Sequence, residues 1–378
     1  MTKPKVLHIM SWSPKPDNPL LGNFCIRHLE AAAIFSDSVW LKVEESDQNG
    51  CYNISVEEKP EYHTVTVNIP HVNNRLVNRL LHFKAYQKGY SYVCQHFFKP
   101  DLLHLHVARN LGVMALFWKK ICHMPYVWSE HATYYLQPEV KKLGYLWGRV
   151  ANGASCVMPV SRLLADTLQK LGVKSPMEIV YNVLDKDYLA AFPKTNATPP
   201  WRLLHISTLN RCKNFMGILH VMERLKQENL GPFVLEVVHD FPAETYQKWV
   251  DNHNLQEQVR FLGPKNEDEL LQLYAQSHAL VMFSNLETFS CTVMEAVGVG
   301  IPVIATRTGA IPEMLADGRG VVVEPDDEEA LFNSIVQFMN NGHPLNVSQQ
   351  KAYARAAFSM ETVGRRILEV YQKVTCYS

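Results

Sequence analysis

The chain has 378 residues, 47% of them hydrophobic and 20% charged, with a formal net charge of zero at neutral pH. That length suits two domains rather than one core. The balanced charge gives no bulk attraction to nucleic acid or to an acidic polymer.

The eight cysteines are scattered and form no Cys-x-x-Cys pair. In a chain of this length they read as reduced thiols, and a cytoplasmic protein is expected. The opening MTKPKVLHIMSW has too short an apolar stretch before Ser11 and Pro14 for a secretory signal. No run of about 18 apolar residues occurs, so no membrane span is expected.

From the N-terminus, short apolar runs alternate with amphipathic segments. VLHIM (6–10), LLHLH (102–106), YVWS (126–129), VMPV (157–160) and EIVY (178–181) read as buried strands. Residues 23–35, 111–120 and 161–172 between them carry helical patterns. Strand and helix in alternation predict a parallel sheet covered on both faces. One segment departs from this. HVNNRLVNRLLHFKAYQKGY (71–90) puts Val72, Leu76, Val77, Leu80 and Leu81 on one helical stripe, with Arg75, Arg79, Lys84 and Lys88 off it. Such a helix suits either a solvated basic face or peripheral contact with an anionic membrane.

The stretch 186–201 has no period and is rich in Pro, Thr and Asn, as a linker is. Alternation restarts at RLLHIS (202–207) and continues through VLEVVH (234–239), VRFLG (259–263), ALVMFS (279–284), PVIAT (302–306) and GVVVEP (320–325). The fold expected is therefore two doubly wound, Rossmann-like α/β domains facing a central cleft. The first spans 1–185 and the second 202–359. A last helix at about 360–378 suits either domain by pattern alone.

In open α/β sheets, ligands bind outside the carboxyl ends of the strands. Four segments there carry chemistry. SNLETFSCTVMEAVGVG (284–300) is strand end, loop and helix, with Ser290 or Thr292 able to cap the helix. Its first amides suit a phosphate. Glu287 lies in the loop and Glu295 more than one turn inside the helix, with seven residues between them. A nucleotide sugar, with its diphosphate between ribose and hexose, would meet both carboxylates. Alternatively, Glu295 pairs with a nearby cation and Glu287 is a solvated loop residue. In STLNRCKN (207–214), Arg211 and Lys213 stand beside another helix start, where cations can hold a departing diphosphate or form a basic surface loop. His131 in SEH (129–131) follows a strand of the first domain, and Gly22-Asn23 opens a helix after the loop SPKPDNPLL. Glycine there allows close backbone approach by a ligand. There is no G-x-G-x-x-G.

Together these segments resemble the nucleotide-sugar-dependent glycosyltransferases of family 4, over nearly the whole chain. The match rests on the Glu-x7-Glu element followed by GVGIPVIATRTGAIPE. It extends to HIMSWSPKPDNPLLGNF, SEH, VSRLLADTLQKLG, VYNVLD with Asn182, STLNRCKN and GRGVVVEPDDEEAL. The resemblance implies the GT-B fold, with the last helix returning to the first domain, and retention of anomeric configuration. Glu287 would contact the transferred sugar, Lys213 would neutralise the leaving diphosphate and His131 would position the sugar. Glu295 would hold the ribose. Thr208, Arg211, Phe289, Ser290, Cys291 and Thr292 would lie along the donor, with Gly22 and Asn23 on its phosphate side.

Three departures stand out. Thr208 occupies the place of the family's usual arginine, HDF (239–241) replaces a glycine-rich turn, and paired glycines are reduced to Gly309-Ala310.

The function expected is transfer of a hexose or N-acetylhexosamine from a nucleotide diphosphate sugar to a growing glycan or lipid-linked acceptor. The acceptor would bind the first domain, because the donor motifs concentrate in the second. No metal or other cofactor is expected. The Asp185-Lys186-Asp187 pair lies by the linker, away from the diphosphate loops, and Asp326-Asp327-Glu328-Glu329 starts a late helix. The rival readings are a nucleotide-sugar epimerase of the same fold and a catalytically weak binding subunit.

Overall fold

The structure, a computed structural model, describes residues 3–13, 21–46, 52–193, 198–342 and 345–376. Most of the loop 13–24 and the centre of the segment 186–201 therefore lie outside the described residues. The chain divides into two compact units, Met1–Val183 with Met360–Ser378, and Leu184–Ser359.

Unit 1 holds β1 (Lys5–Met10), β2 (Asp37–Glu45), β3 (Asn53–Glu58), β4 (Tyr62–Ile69), β5 (Leu102–His106), β6 (Tyr126–Glu130) and β7 (Cys156–Pro159). They lie in the order β3-β4-β2-β1-β5-β6-β7. All neighbours are parallel except β3, an antiparallel edge strand on β4. β1 and β5 are buried nearly end to end, which is why both read as unbroken apolar runs. The helix Met360–Cys376 belongs to this unit: Val363, Ile367, Val370 and Tyr371 pack against Val6, Ala31, Ala32 and Leu102.

Unit 2 holds β8 (Trp201–Ile206), β9 (Phe233–Val238), β10 (Val259–Gly263), β11 (Ala279–Met282), β12 (Val303–Thr306) and β13 (Val321–Val323). Their order is β10-β9-β8-β11-β12-β13, and every pairing is parallel. Two doubly wound sheets are thus present, as the alternation predicted. In each sheet the order reverses beside the first strand of the unit, between β1 and β5 in unit 1 and between β8 and β11 in unit 2. Such a switch point opens a crevice at the carboxyl ends.

Two expectations need correction. EIVY (178–181) is not a strand. The chain runs beside β7, with Glu178 N donating to Val157 O and Val180 N to Pro159 O, yet only one bridge forms, Val157 to Met177. Pro159 has no N–H to donate back, so the ladder cannot continue. The segment 186–201 is not wholly linker either, for Lys186–Ala190 is a helix. Asp185 caps it by accepting from Asp187 N, and Tyr188 and Leu189 are buried in unit 2. Asp185 is therefore committed to a local cap. Among the described residues no helix is long and apolar enough to cross a membrane. All seven cysteines among them are free thiols.

Candidate functional site

At the switch point of unit 2, the loops after β8, β11 and β12 are tied together. After β8 the chain makes a 3-10 turn, Arg211–Lys213, capped by Asn210 Oδ1 accepting from Cys212 N at 2.9 Å. Asn214 then takes a left-handed conformation and the helix Phe215–Gln227 begins. The loop after β11 docks on that turn, with Asn285 N donating to Cys212 O at 2.7 Å. Asp326 fastens both: its Oδ1 accepts from Asn214 Nδ2 at 3.0 Å and from Asn285 Nδ2 at 2.8 Å.

This bracing brings Lys213 and Glu287 together. Lys213 Nζ lies 2.5 Å from Glu287 Oε1, which also accepts from Ser284 Oγ at 2.9 Å. Glu287 is only 5% exposed, so it is not the solvated loop residue of the simpler sequence reading. Its backbone N donates to Thr308 Oγ1 at 3.1 Å. Gly309 completes the contact. At φ +60° its Cβ position would fall 2.8 Å from Glu287 O, so a side chain there is blocked by backbone. The single glycine retained from the family's pair is the one that this packing demands.

Cys291–Val299 is the helix that follows, and its start corrects a second expectation. Ser290 occupies the capping position but in a left-handed conformation (φ 75°), and no side chain caps the helix. Ser290 Oγ and Thr292 Oγ1 instead lie 3.3 Å from each other. The first amides of such a helix have no partners within it, and a bound anion is one way to satisfy them. Phe289 is buried at 2% exposure, edge-on to Phe358 at 5.9 Å, so its ring is part of the core. Cys291 and Thr292 are partly exposed.

Glu295 has a partner that neither sequence reading named. The hydroxyl of Tyr274 lies 2.8 Å from Glu295 Oε2 and 3.1 Å from Thr292 O. Burial and then the nearby Glu295 push the Tyr274 pKa well above its ordinary value, so the hydroxyl stays protonated and donates. Around the turn, Thr208 Oγ1 accepts from Asn210 Nδ2 at 2.7 Å, while Arg211 is exposed. Thr208 thus supports the loop and carries no charge toward a phosphate.

Unit 1 places His131 at the carboxyl end of β6 with 6% exposure, between the rings of Phe24 (4.6 Å) and His28 (4.9 Å). Burial holds its pKa well below the usual histidine range, His28 adding to this and Asn182 opposing it. It is a neutral ring at pH 7. The turn that holds it is organised by Glu130, which the sequence reading passed over within SEH. Glu130 Oε1 accepts from His131 N and Ala132 N, both at 2.8 Å, and Oε2 from Trp128 Nε1 at 3.0 Å. Four further histidines are buried nearby: His28 lies against His131, and His8, His104 and His106 pack on one another, the rings of His104 and His106 stacking at 3.8 Å. Gly22 is also required by the packing of the chain itself. At φ +73° its Cβ position falls 2.5 Å from Trp12 O, so a side chain there would meet backbone. Asn23 follows as the first residue of the helix Asn23–Ala33.

A pocket of about 490 Å³ opens at the switch point of this unit. Trp12, Tyr134, Tyr135 and Trp147 give it aromatic walls, and Arg109 and Lys142 give it positive charge. Among the described residues, neither cation makes an ion pair.

Two family models cover most of the chain. Glycosyltransferase Family 4 matches residues 52–188, and Glycosyl transferases group 1 matches residues 190–357. Among curated relatives, O-antigen chain mannosyltransferase B from Escherichia coli is 26% identical over 172 residues, 45% of each chain. N-acetyl-alpha-D-glucosaminyl L-malate synthase from Bacillus anthracis is 25% identical over 259 residues, 64% of this chain and 66% of that one. The chain spans less than two thirds of the length of these relatives. Among solved structures, sucrose-phosphate synthase from Thermosynechococcus elongatus superposes with a TM-score of 0.77 at 16% identity, covering 99% of this chain and 100% of that one. Anabaena HepE in complex with UDP and glucose gives 0.72 at 19%, covering 97% and 99%. At those identities the superpositions show the fold, and it is GT-B. With both halves matched by glycosyltransferase models, the chain belongs to the family 4-type GT-B glycosyltransferases.

Proposed function

We propose that the protein transfers a hexose or N-acetylhexosamine from a nucleotide diphosphate sugar to a glycan or lipid-linked acceptor, retaining the anomeric configuration. The observation that carries this is the Lys213–Glu287 pair beside an uncapped helix start at the unit 2 switch point. A diphosphate at the Cys291 end meets the first amides of that helix and the Lys213 ammonium. Both stabilise the charge that develops as the anomeric carbon–oxygen bond breaks and the phosphate takes the electron pair. Glu287, held by Lys213 and Ser284, orients the sugar hydroxyls, and Glu295, held by Tyr274, takes the ribose. The acceptor hydroxyl attacks the face that the phosphate leaves. Its proton passes to the departing phosphate oxygen.

The aromatic and cationic pocket of unit 1 suits the acceptor, because aromatic faces pack on sugar rings and Arg109 and Lys142 reach its polar groups. No divalent cation is needed in this scheme. Asp185 is occupied as a helix cap, Asp326 by two asparagine side chains and Asp327 by Ala330 N.

HepE was solved with UDP and glucose, which makes UDP-sugars the first donors to test. Nucleotide sugars are screened for thermal stabilisation, then for nucleoside diphosphate release with and without saccharide acceptors. NMR of the product reads the anomeric configuration. A product of inverted configuration removes the retaining scheme. Donor conversion without any acceptor selects the epimerase, and no turnover with any donor selects the binding subunit.

A further inference from the structure

The helix Arg75–His96 of unit 1 has an outward face that its fold leaves unexplained. Its inward face is fixed by Ala85, Tyr86, Gly89 and Val93, all buried. The helix lies so close to the sheet that a Cβ on Gly89 would fall 2.3 Å from Leu41 Cδ1 and 3.0 Å from Val67 Cγ2. At about 100° per residue, Leu80 stands on the opposite side from Gly89. Leu76 is 68% exposed and Leu80 55%, with Phe83 beside them. These three fall within a sector of about 60° on the outward side. Of the stripe expected from sequence, Leu81 turns partly inward, Val72 precedes the helix and Phe83 joins instead. The apolar surface continues through an edge-on contact of Phe83 with Phe117, at 5.0 Å, to the exposed Val113 on the helix Gly112–Cys122.

Charge frames this surface. On the helical wheel Arg75 and Arg79 flank the stripe on one side and Lys84 on the other. None of the three makes an ion pair or hydrogen bond among the described residues. Residues 71–96 contain no aspartate or glutamate. Two arginines in the first turns, with no acidic residue there, oppose the positive end of the helix dipole. Helix stability therefore does not account for their placement. The start of the helix is secured otherwise, by Asn74 Oδ1 accepting from Leu76 N and Val77 N. A negatively charged surface would pair with the arginines and with the helix end together, while Leu76, Leu80 and Phe83 entered an apolar layer.

We infer that this face docks unit 1 on an anionic lipid surface, with Leu76, Leu80 and Phe83 inserted between headgroups and Arg75, Arg79 and Lys84 on lipid phosphates. The chemistry is that of an interfacial amphipathic helix, apolar on one sector and basic on both flanks. It is independent of the sugar-transfer reading, and it explains how a lipid-linked acceptor would be reached if that reading holds.

The test uses the full chain and vesicles of phosphatidylcholine with about 30% phosphatidylglycerol, in flotation assays without nucleotide sugar, at about 50 mM and 500 mM salt. Binding at low salt is expected, weakened on the order of tenfold or more by high salt or by neutral vesicles. Leu76→Asp with Leu80→Asp, and separately Arg75→Glu with Arg79→Glu, should each reduce it by at least about tenfold. All four positions are exposed, so melting temperature should not change. Equal binding to neutral and anionic vesicles overturns the proposal, as does undiminished binding by both variants. A wild-type dimer that the leucine variant converts to a monomer also overturns it, since a second copy would then be the occupant. Nucleoside diphosphate release with a water-soluble acceptor should be the same in wild type and variants. Its absence in all of them would count against the sugar-transfer reading alone.

Discussion

Lys213 has two neighbours in the proposed reaction, Glu287 in the free protein and the diphosphate in the complex, and the two roles separate by mutation. Glu287 is 5% exposed, and its Oε1 has Lys213 Nζ at 2.5 Å and Ser284 Oγ at 2.9 Å. Removing one partner of a buried pair costs about 3–5 kcal/mol. Lys213 keeps 19% of its side chain in solvent and Ser284 still donates, so Lys213→Ala should lose about 2–3 kcal/mol of stability. The rate should fall further than stability explains, by about 10²–10³, the loss typical of deleting one charge-stabilising donor. Lys213→Met with Glu287→Gln leaves no buried charge behind. It should recover most of the lost stability and none of the rate. Urea denaturation and nucleoside diphosphate release on the same preparations read both quantities. An unaffected rate in Lys213→Ala, or rate and stability returning together in the double variant, would refute a direct role for Lys213 on the diphosphate.

Three further outcomes follow from the same geometry. Tyr274→Phe removes the donor to Glu295 Oε2, and should weaken nucleoside diphosphate binding by about 1 kcal/mol, roughly fivefold; unchanged affinity by calorimetry would detach Glu295 from the ribose. Stability should fall with pH below the ordinary histidine pKa. Burial lowers His28 to about 4 and His8 to about 3, so the unfolded chain takes up protons near pH 6.5 that the native state refuses, and His28 alone forfeits up to about 3 kcal/mol by pH 4. A melting temperature that stays level from neutral pH to below 5 would contradict that. Turnover should survive excess EDTA, since Lys213 and the amides at Cys291 supply positive charge; loss restored by magnesium or manganese would mean that the diphosphate is misplaced.

The sequence was most legible where one physical constraint dominated. Buried parallel strands must be apolar on both faces, so LLHLH and ALVM announced themselves even with two histidines in the first. β3 is a solvated edge strand, and β2 and β4, though largely buried, interleave polar with apolar residues, so these three gave a weaker signal. The failure at EIVY came from a neighbour, since the missing donor belongs to Pro159 on the adjacent strand. The helix at Lys186–Ala190 was hidden in a polar stretch because its evidence is a single capping aspartate and two buried side chains.

At the site, legibility followed sequence distance. Glu287 and Lys213 were found because each sits in its own strand-loop-helix unit, yet their contact spans 74 residues and no local pattern encodes it. The residues that make the contact rigid were missed for the same reason. Asp326 read as part of an acidic helix start, and its carboxylate instead joins the loops after β8 and β11. Tyr274 was not singled out in the sequence, although a buried tyrosine hydroxyl requires a partner. Among helical residues, a carboxylate near apolar neighbours and a fully buried tyrosine each ask for the other. Glu295 and Tyr274 answer that demand at 2.8 Å. Glu295, on a helix beside Val293, Met294, Ala296 and Val297, is therefore partnered within unit 2 before any ligand binds. What a ribose would find there is a carboxylate already oriented, and such preorganisation is what makes a binding group effective.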